Sequence, residues 1–197
     1  MAHALLAPSA ADRWLHCPGS VALTKDKEDT DSVYAREGTL AHSICELKLR
    51  KYFGLAKNGE KRPIGPKKFK SELDKLKAEE LYQPEMDGYT ESYVDYIKDT
   101  ANSFDSAPAV FVEQHVDLSE YVPEGLGSSD CILIHDKRLY VYDFKYGKGV
   151  QVDAEENAQM RLYALGAYLT YRTFWAIEEI HMTILQPRLH HISTAQM

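Results

Sequence analysis

The sequence predicts a mixed α/β (α+β) fold: a helical first half, then three strands in a meander, one helix and a last strand. Three observations predict it. Apolar residues recur at near-helical spacing up to about residue 104. After Pro108 the pattern turns to alternating, β-rich runs. A strongly helical stretch over 153–172 then separates the last two of those runs. With 197 residues, 44% apolar and 27% charged, the chain has the length and composition of one globular domain over 1–197 with its own core.

In chain order, Pro8-Ser9-Ala10-Ala11-Asp12 reads as a helix start with Ser9 as N-cap, ending near Cys17-Pro18-Gly19. Residues 24–32 are polar and charged, a loop. Ala35 to Phe53 reads as a helix with Leu40, Ile44, Leu47 and Leu49 on its apolar side. Three Gly and two Pro make 54–66 irregular. Helices follow over 67–82 and 85–104, broken at Gln83-Pro84. Strands are predicted over Ala109–Val116, over Asp130–His135 after a Gly127-Ser128-Ser129 turn, and over Arg138–Lys145 after a tight Asp136-Lys137 turn. The helix at Asp153–Arg172 and a strand at Ile177–Gln186 complete the set. That last strand–helix–strand unit calls for a right-handed crossover with parallel strands, giving a central mixed sheet of about four strands flanked by helices.

No stretch approaches the roughly 18 apolar residues that span a bilayer, and the first residues lack the basic and apolar regions of a secretory signal. Three cysteines, Cys17, Cys45 and Cys131, are too few and odd in number for a disulfide scaffold and fit a reducing, cytoplasmic compartment. Cys45 and Cys131 fall in a helix and a strand and read as core. Net charge is −7, yet residues 48–77 hold eleven Lys/Arg against three acids, a local +8 that leaves −15 elsewhere. The 48–84 region is therefore a basic helical insertion. It reads either as a track for a phosphate backbone, with Lys67, Lys68 and Lys70 as contacts, or as a solvated, mobile insertion.

The chemistry centres on Asp143-Phe144-Lys145. Side chains two apart in a strand share a face, so Asp143 and Lys145 point together and Phe144 points into the core. Gly147 and Gly149 place the pair at a strand's C-terminal end. In a hairpin turning at 136–137, Asp130 lies beside Asp143. Two adjacent carboxylates repel unless a cation sits between them, and oxygen ligands of this kind suit Mg²⁺ or Mn²⁺. Lys145 on the same face can orient a water or stabilise transition-state charge. An isolated Asp-x-Lys is more often a surface pair. Here His42 and Glu46 share one helix face at i, i+4, and Gln159 and Tyr163 repeat that spacing on the helix after the strand.

Gly38-Thr39-Leu40-Ala41-His42, Gly127-x-x-Asp130, Asp143-Phe144-Lys145 and Gln159-x-x-x-Tyr163, in that order, resemble the PD-(D/E)XK nuclease superfamily, closest to its RecB-like branch, which includes the nucleases of CRISPR adaptation. The stretch Ser9–Ser20 resembles a phage- and prophage-associated RecB-like family of unknown function. The resemblance runs from about residue 5 to 190. It implies a restriction-endonuclease-like core after an N-terminal helical region. His42, Asp130, Asp143 and the Phe144 carbonyl would be ligands of Mg²⁺ or Mn²⁺, and Asp130, Asp143 and Lys145 the catalytic residues. Gln159 and Tyr163 would shape the DNA-binding side; Glu46 carries no family role. The implied activity is metal-dependent hydrolysis of DNA, single-stranded or at ends, in a bacterial or phage-infected cell, with phage recombination or replication proteins as partners. Many relatives carry a [4Fe–4S] cluster, and Cys17 stands where its first ligand would be. The three C-terminal cysteines of that pattern are absent, so a cluster is expected only in a longer chain, of which this sequence would be a piece. The alternatives are a catalytically silent DNA-binding or recombination-accessory module, or a phosphohydrolase acting on another substrate.

Overall fold

The computed structural model describes residues 6–24, 32–57, 59–123 and 125–197. The loop expected over 24–32 lies outside these for 25–31. A 3₁₀ turn at Pro8–Ala10 leads into α1 (Ala11–His16) and α2 (Gly19–Thr24). Ser9 is not an N-cap: Pro8 opens the turn, the Ala10 N–H bonds the Ala7 carbonyl, and no side chain caps either start. The second short helix begins just after Cys17-Pro18, where the sequence pattern places only a helix end. Next come α3 (Val33–Phe53), α4 (Pro66–Lys77) and α5 (Met86–Asn102). Ser32 caps α3 by accepting from the Ala35 N–H at 3.1 Å, and Gly54, at φ 68°, ends it in the left-handed turn that suits glycine.

The second half contributes β1 (Ala109–Asp117), β2 (Leu126–His135), β3 (Arg138–Phe144), α6 (Ala158–Tyr171), β4 (Glu179–Gln186) and β5 (His191–Gln196). The five strands lie in chain order. β1–β2–β3 pair antiparallel, β3–β4 parallel across α6 as the crossover requires, and β4–β5 antiparallel. The expected count of about four strands missed β5, which is short, polar on alternate positions and hidden behind a 3₁₀ turn at Pro187–Leu189. The expected Gly127-Ser128-Ser129 turn is part of β2, so Asp130 stands inside that strand rather than at its start. Helix α6 begins five residues later than expected. The Val152 N–H bonds Gln186 Oε1 and the Ala154 N–H bonds Ser193 Oγ, tying that segment to β4 and β5. Asn157 then caps the helix by accepting from the Met160 N–H.

One face of the sheet buries Val112, Cys131, Leu133, Tyr142 and Phe144 against α3 and α5. The other buries Ile132, Ile134, Leu139 and Val141 against α6. In β1 the assignment swaps midway. Val110 and Val112 face α3 and α5, whereas Val116, of the same parity, faces α6. In β2 Cys131 and Leu133 face α3 and α5, whereas a Cβ on Gly127 would meet the Tyr163 ring of α6 at 3.0 Å. Both strands therefore change faces at the same level. There Val112 pairs with Cys131 and Gln114 with Ser129, while Glu113 and Asp130, between them, are not paired.

The basic 48–84 region is folded, with Leu73 and Leu76 of α4 packed on the core. Four of its cations are used internally. Lys48 pairs with Glu91 at 2.8 Å and bonds Thr90; Arg50 pairs with Glu46 and donates to the Ala56 and Val112 carbonyls. Lys51 donates to the Ile64 carbonyl and Lys77 pairs with Asp87. Lys67, Lys68 and Lys70 stay exposed on α4, Lys68 with Glu72 at 3.7 Å. No helix among the described residues is long and apolar enough to cross a membrane.

Two helical glycines test this packing with opposite signs. A Cβ at Gly166 would lie 2.8 Å from Val116 Cβ, whereas one at Gly88 meets nothing within 4 Å. Urea denaturation should show Gly166→Ala destabilising by about 1–3 kcal/mol despite its better helix propensity, and Gly88→Ala stabilising by about 0.5–1 kcal/mol.

Candidate metal centre

The face switch of β1 and β2 opens the end of the sheet beside β3. The β2–β3 ladder ends at Cys131 opposite Tyr142, so Asp130 falls opposite Asp143. Its Oδ2 accepts from the Phe144 N–H at 2.7 Å, and its Oδ1 lies 3.3 Å from His42 Nδ1 on α3. His42 in turn stands edge-on to the Phe144 ring, centroids 5.3 Å apart. From β1, Glu113 brings a third carboxylate: ligand atoms of His42, Glu113 and Asp130 lie within 4.8 Å of one another.

Asp143 is buried, 3% exposed, and faces α6. Lys145 Nζ stands 3.0 Å from its Oδ2 and donates to Gln159 Oε1 at 2.7 Å. Gln159 Nε2 reaches back to Asp143 Oδ1 at 3.4 Å and to the Tyr163 hydroxyl at 3.2 Å. For all its proximity to Lys145, Asp143 Oδ2 is shut from solvent without a well-directed hydrogen bond.

The electrostatics record crowding of like charge. Burial pushes the Asp143 carboxyl above its ordinary range, Lys145 opposes this, and Asp130 adds to it. Glu113 is pushed up to about 7, by burial first and by Asp130 next, with His42 opposing. For His42, burial favours the neutral ring, but the charge and hydrogen bond of Asp130, helped by Asp143 and Glu113, outweigh it and raise the imidazole to about 9. His42 and Lys145 offset the three carboxylates, with Arg50 acting on Glu113 from farther off, and a divalent cation would offset them further.

The end of β3 thus gathers Asp130 and Asp143 with His42 and Lys145 beside them, and Phe144 is buried in the core. Glu46 turns away to pair with Arg50 at 2.8 Å. Gln159 and Tyr163, expected on a DNA-binding side, act more locally. Tyr163 is 6% exposed, and both residues serve to hold Asp143 and Lys145. Cys17 is exposed; Cys45 and Cys131 are buried, and no cysteine joins a metal-capable group among the described residues. Glu113 escapes sequence reasoning because an acid at one position of an otherwise alternating strand reads as a solvent-facing residue.

A sequence model for the family described as "Protein of unknown function (DUF2800)" matches residues 3–197. Among solved structures, one titled "Crystal structure of SSO0001" is modestly similar: 14% identity, 82% of this chain and 78% of that chain covered, TM-score 0.34.

The His42–Asp130 pair has a pH signature in metal-free protein. A histidine whose folded pKa is raised from 6.5 to about 9 contributes stability that is complete below pH 6.5 and is lost as pH rises through 9. With EDTA present, thermal melts should show wild type more stable than His42→Asn at pH 6, with the gap closing by about pH 10.

Proposed function

We propose that the chain, which belongs to the DUF2800 family, is a divalent-metal-dependent deoxyribonuclease of the RecB-like PD-(D/E)XK type, hydrolysing DNA phosphodiester bonds with Mg²⁺ or Mn²⁺. One observation carries this reading: two buried or half-buried carboxylates, Asp130 and Asp143, stand opposite one another at the end of β3, with His42 3.3 Å from the first and Lys145 3.0 Å from the second. The donor set fits the ion. Carboxylate oxygens with a single imidazole and no thiolate favour Mg²⁺ or Mn²⁺ over softer metals. His42, Asp130, Asp143 and the Phe144 carbonyl would hold it, and when bound it would polarise a phosphoryl oxygen and acidify a water.

The residues around the site have definable work. Asp130 is fixed by the Phe144 N–H, so one of its oxygens is committed and the other is presented to the centre in a set direction. Lys145 is held by Gln159 and supplies positive charge where the phosphorane-like transition state accumulates negative charge. Gln159, anchored on Tyr163, bonds both Lys145 and Asp143 and holds them in fixed relation. Lys67 and Lys70, exposed on α4, supply cationic contacts for the DNA backbone at a distance from the chemistry. Single-stranded DNA or DNA ends remain the expected substrate form, and phage recombination or replication proteins the expected partners.

Incubation with single-stranded and duplex DNA in MnCl₂ or MgCl₂ tests the reading. Cleavage should depend on either metal, stop in EDTA, and fall roughly 100-fold or more in Lys145→Ala. Cleavage unaffected by Lys145→Ala would overturn the assignment of the site. Salt-sensitive DNA retention without cleavage under either metal would turn the reading to a DNA-binding module.

A further inference from the structure

The nuclease reading leaves Glu113 without a role, although three observations mark it out. Of the four non-glycine residues with positive φ among the described residues, Asp136, Glu156 and His190 lie in turns; Glu113, at φ 51°, lies inside a strand. That conformation is unfavourable for a residue with a Cβ and persists only where the surroundings impose it. It also interrupts the β1–β2 ladder opposite Asp130. Secondly, the Glu113 carboxylate makes no hydrogen bond or ion pair among the described residues, though it is partly buried in a carboxylate-rich site. Thirdly, one of its oxygens falls within 4.8 Å of a ring nitrogen of His42 and an oxygen of Asp130. Asp143, buried opposite Asp130 and paired with Lys145 at 3.0 Å, adds a further carboxylate at the same end of the sheet.

We propose that Glu113 is a further side-chain ligand of the divalent cation, beside His42 and Asp130, and that the left-handed backbone at 113 exists to deliver it. A regular strand would keep residue 113 in the ladder and place its side chain by simple alternation. The kink releases it from that alternation and sets a third carboxylate against the imidazole. Three carboxylates and one imidazole form a donor set in which the mixed oxygen and nitrogen character favours Mn²⁺ over Mg²⁺.

This inference rests on the metal-dependent reading above, and calorimetric titration of MnCl₂ into EDTA-stripped, dialysed protein separates the two. Wild type should bind Mn²⁺, and Glu113→Gln should bind it at least tenfold more weakly. In EDTA the melting temperature of Glu113→Gln should equal or exceed that of wild type, which a residue holding the fold together would not allow. Glu113→Gly removes both the carboxylate and the backbone conflict. It should melt higher than wild type in EDTA and bind Mn²⁺ as weakly as the Gln variant. Wild-type affinity in either folded variant overturns the role of Glu113 while leaving the nuclease reading in place. A Gly variant that loses stability in EDTA also overturns it, by making the residue structural. Absence of Mn²⁺ binding by wild type itself defeats both.

Discussion

The Asp130 carboxylate makes two contacts that bind the fold to the site. Where β1 and β2 change faces, the antiparallel ladder to β3 stops at Tyr142, and the Phe144 N–H has no β2 carbonyl to meet. A buried amide cannot be left without an acceptor at small cost. Asp130 Oδ2 takes that place at 2.7 Å, so the end of β3 is closed by a side chain rather than by backbone. The same carboxylate faces His42 with its other oxygen. The rotamer that satisfies the strand is therefore the rotamer that builds the centre, and no separate device is needed to orient it.

Around this junction the structure holds charge under tension. Asp143 is enclosed by the core on one side and by α6 on the other, with Lys145 as its near counter-charge. Gln159 bonds both members of that pair and leans on Tyr163, so the cation–carboxylate geometry is maintained by a neutral amide that can donate and accept. Such an arrangement is poor for stability, because it keeps carboxylates close together in a partly desolvated place. What it provides instead is a set of side chains held in fixed relation by their mutual hydrogen bonds.

Much of this was legible in the sequence. The change from helical to alternating periodicity at Pro108 located the sheet, and the spacing across the Asp136-Lys137 turn placed Asp130 against Asp143. His42 and Gln159 were legible as i, i+4 members of helices flanking that hairpin. What escaped depended on tertiary context. Glu113 acts through a left-handed backbone that strand periodicity cannot encode. β5 gains its identity from pairing with β4 rather than from β-branched content. The start of α6 is set by Gln186 and Ser193, side chains from strands that come later in the chain. The basic run reads as one unit in the sequence, yet a cation's fate depends on which neighbour it meets, and Lys48, Arg50, Lys51 and Lys77 meet acids or carbonyls within the fold.

That internal use of cations decides where positive charge is left at the surface. The formal charge is −7, and each internal ion pair removes an acid along with its base, so the net charge is unchanged by it. The exposed lysines of α4 are a local exception, effective only within about a Debye length, roughly 8–10 Å at ordinary salt. Salt screens the net negative charge over the same distance, so neither sign acts far from the surface. The consequence is local: the α4 lysines would tell one face of the protein from the others only to an anionic group already close to it.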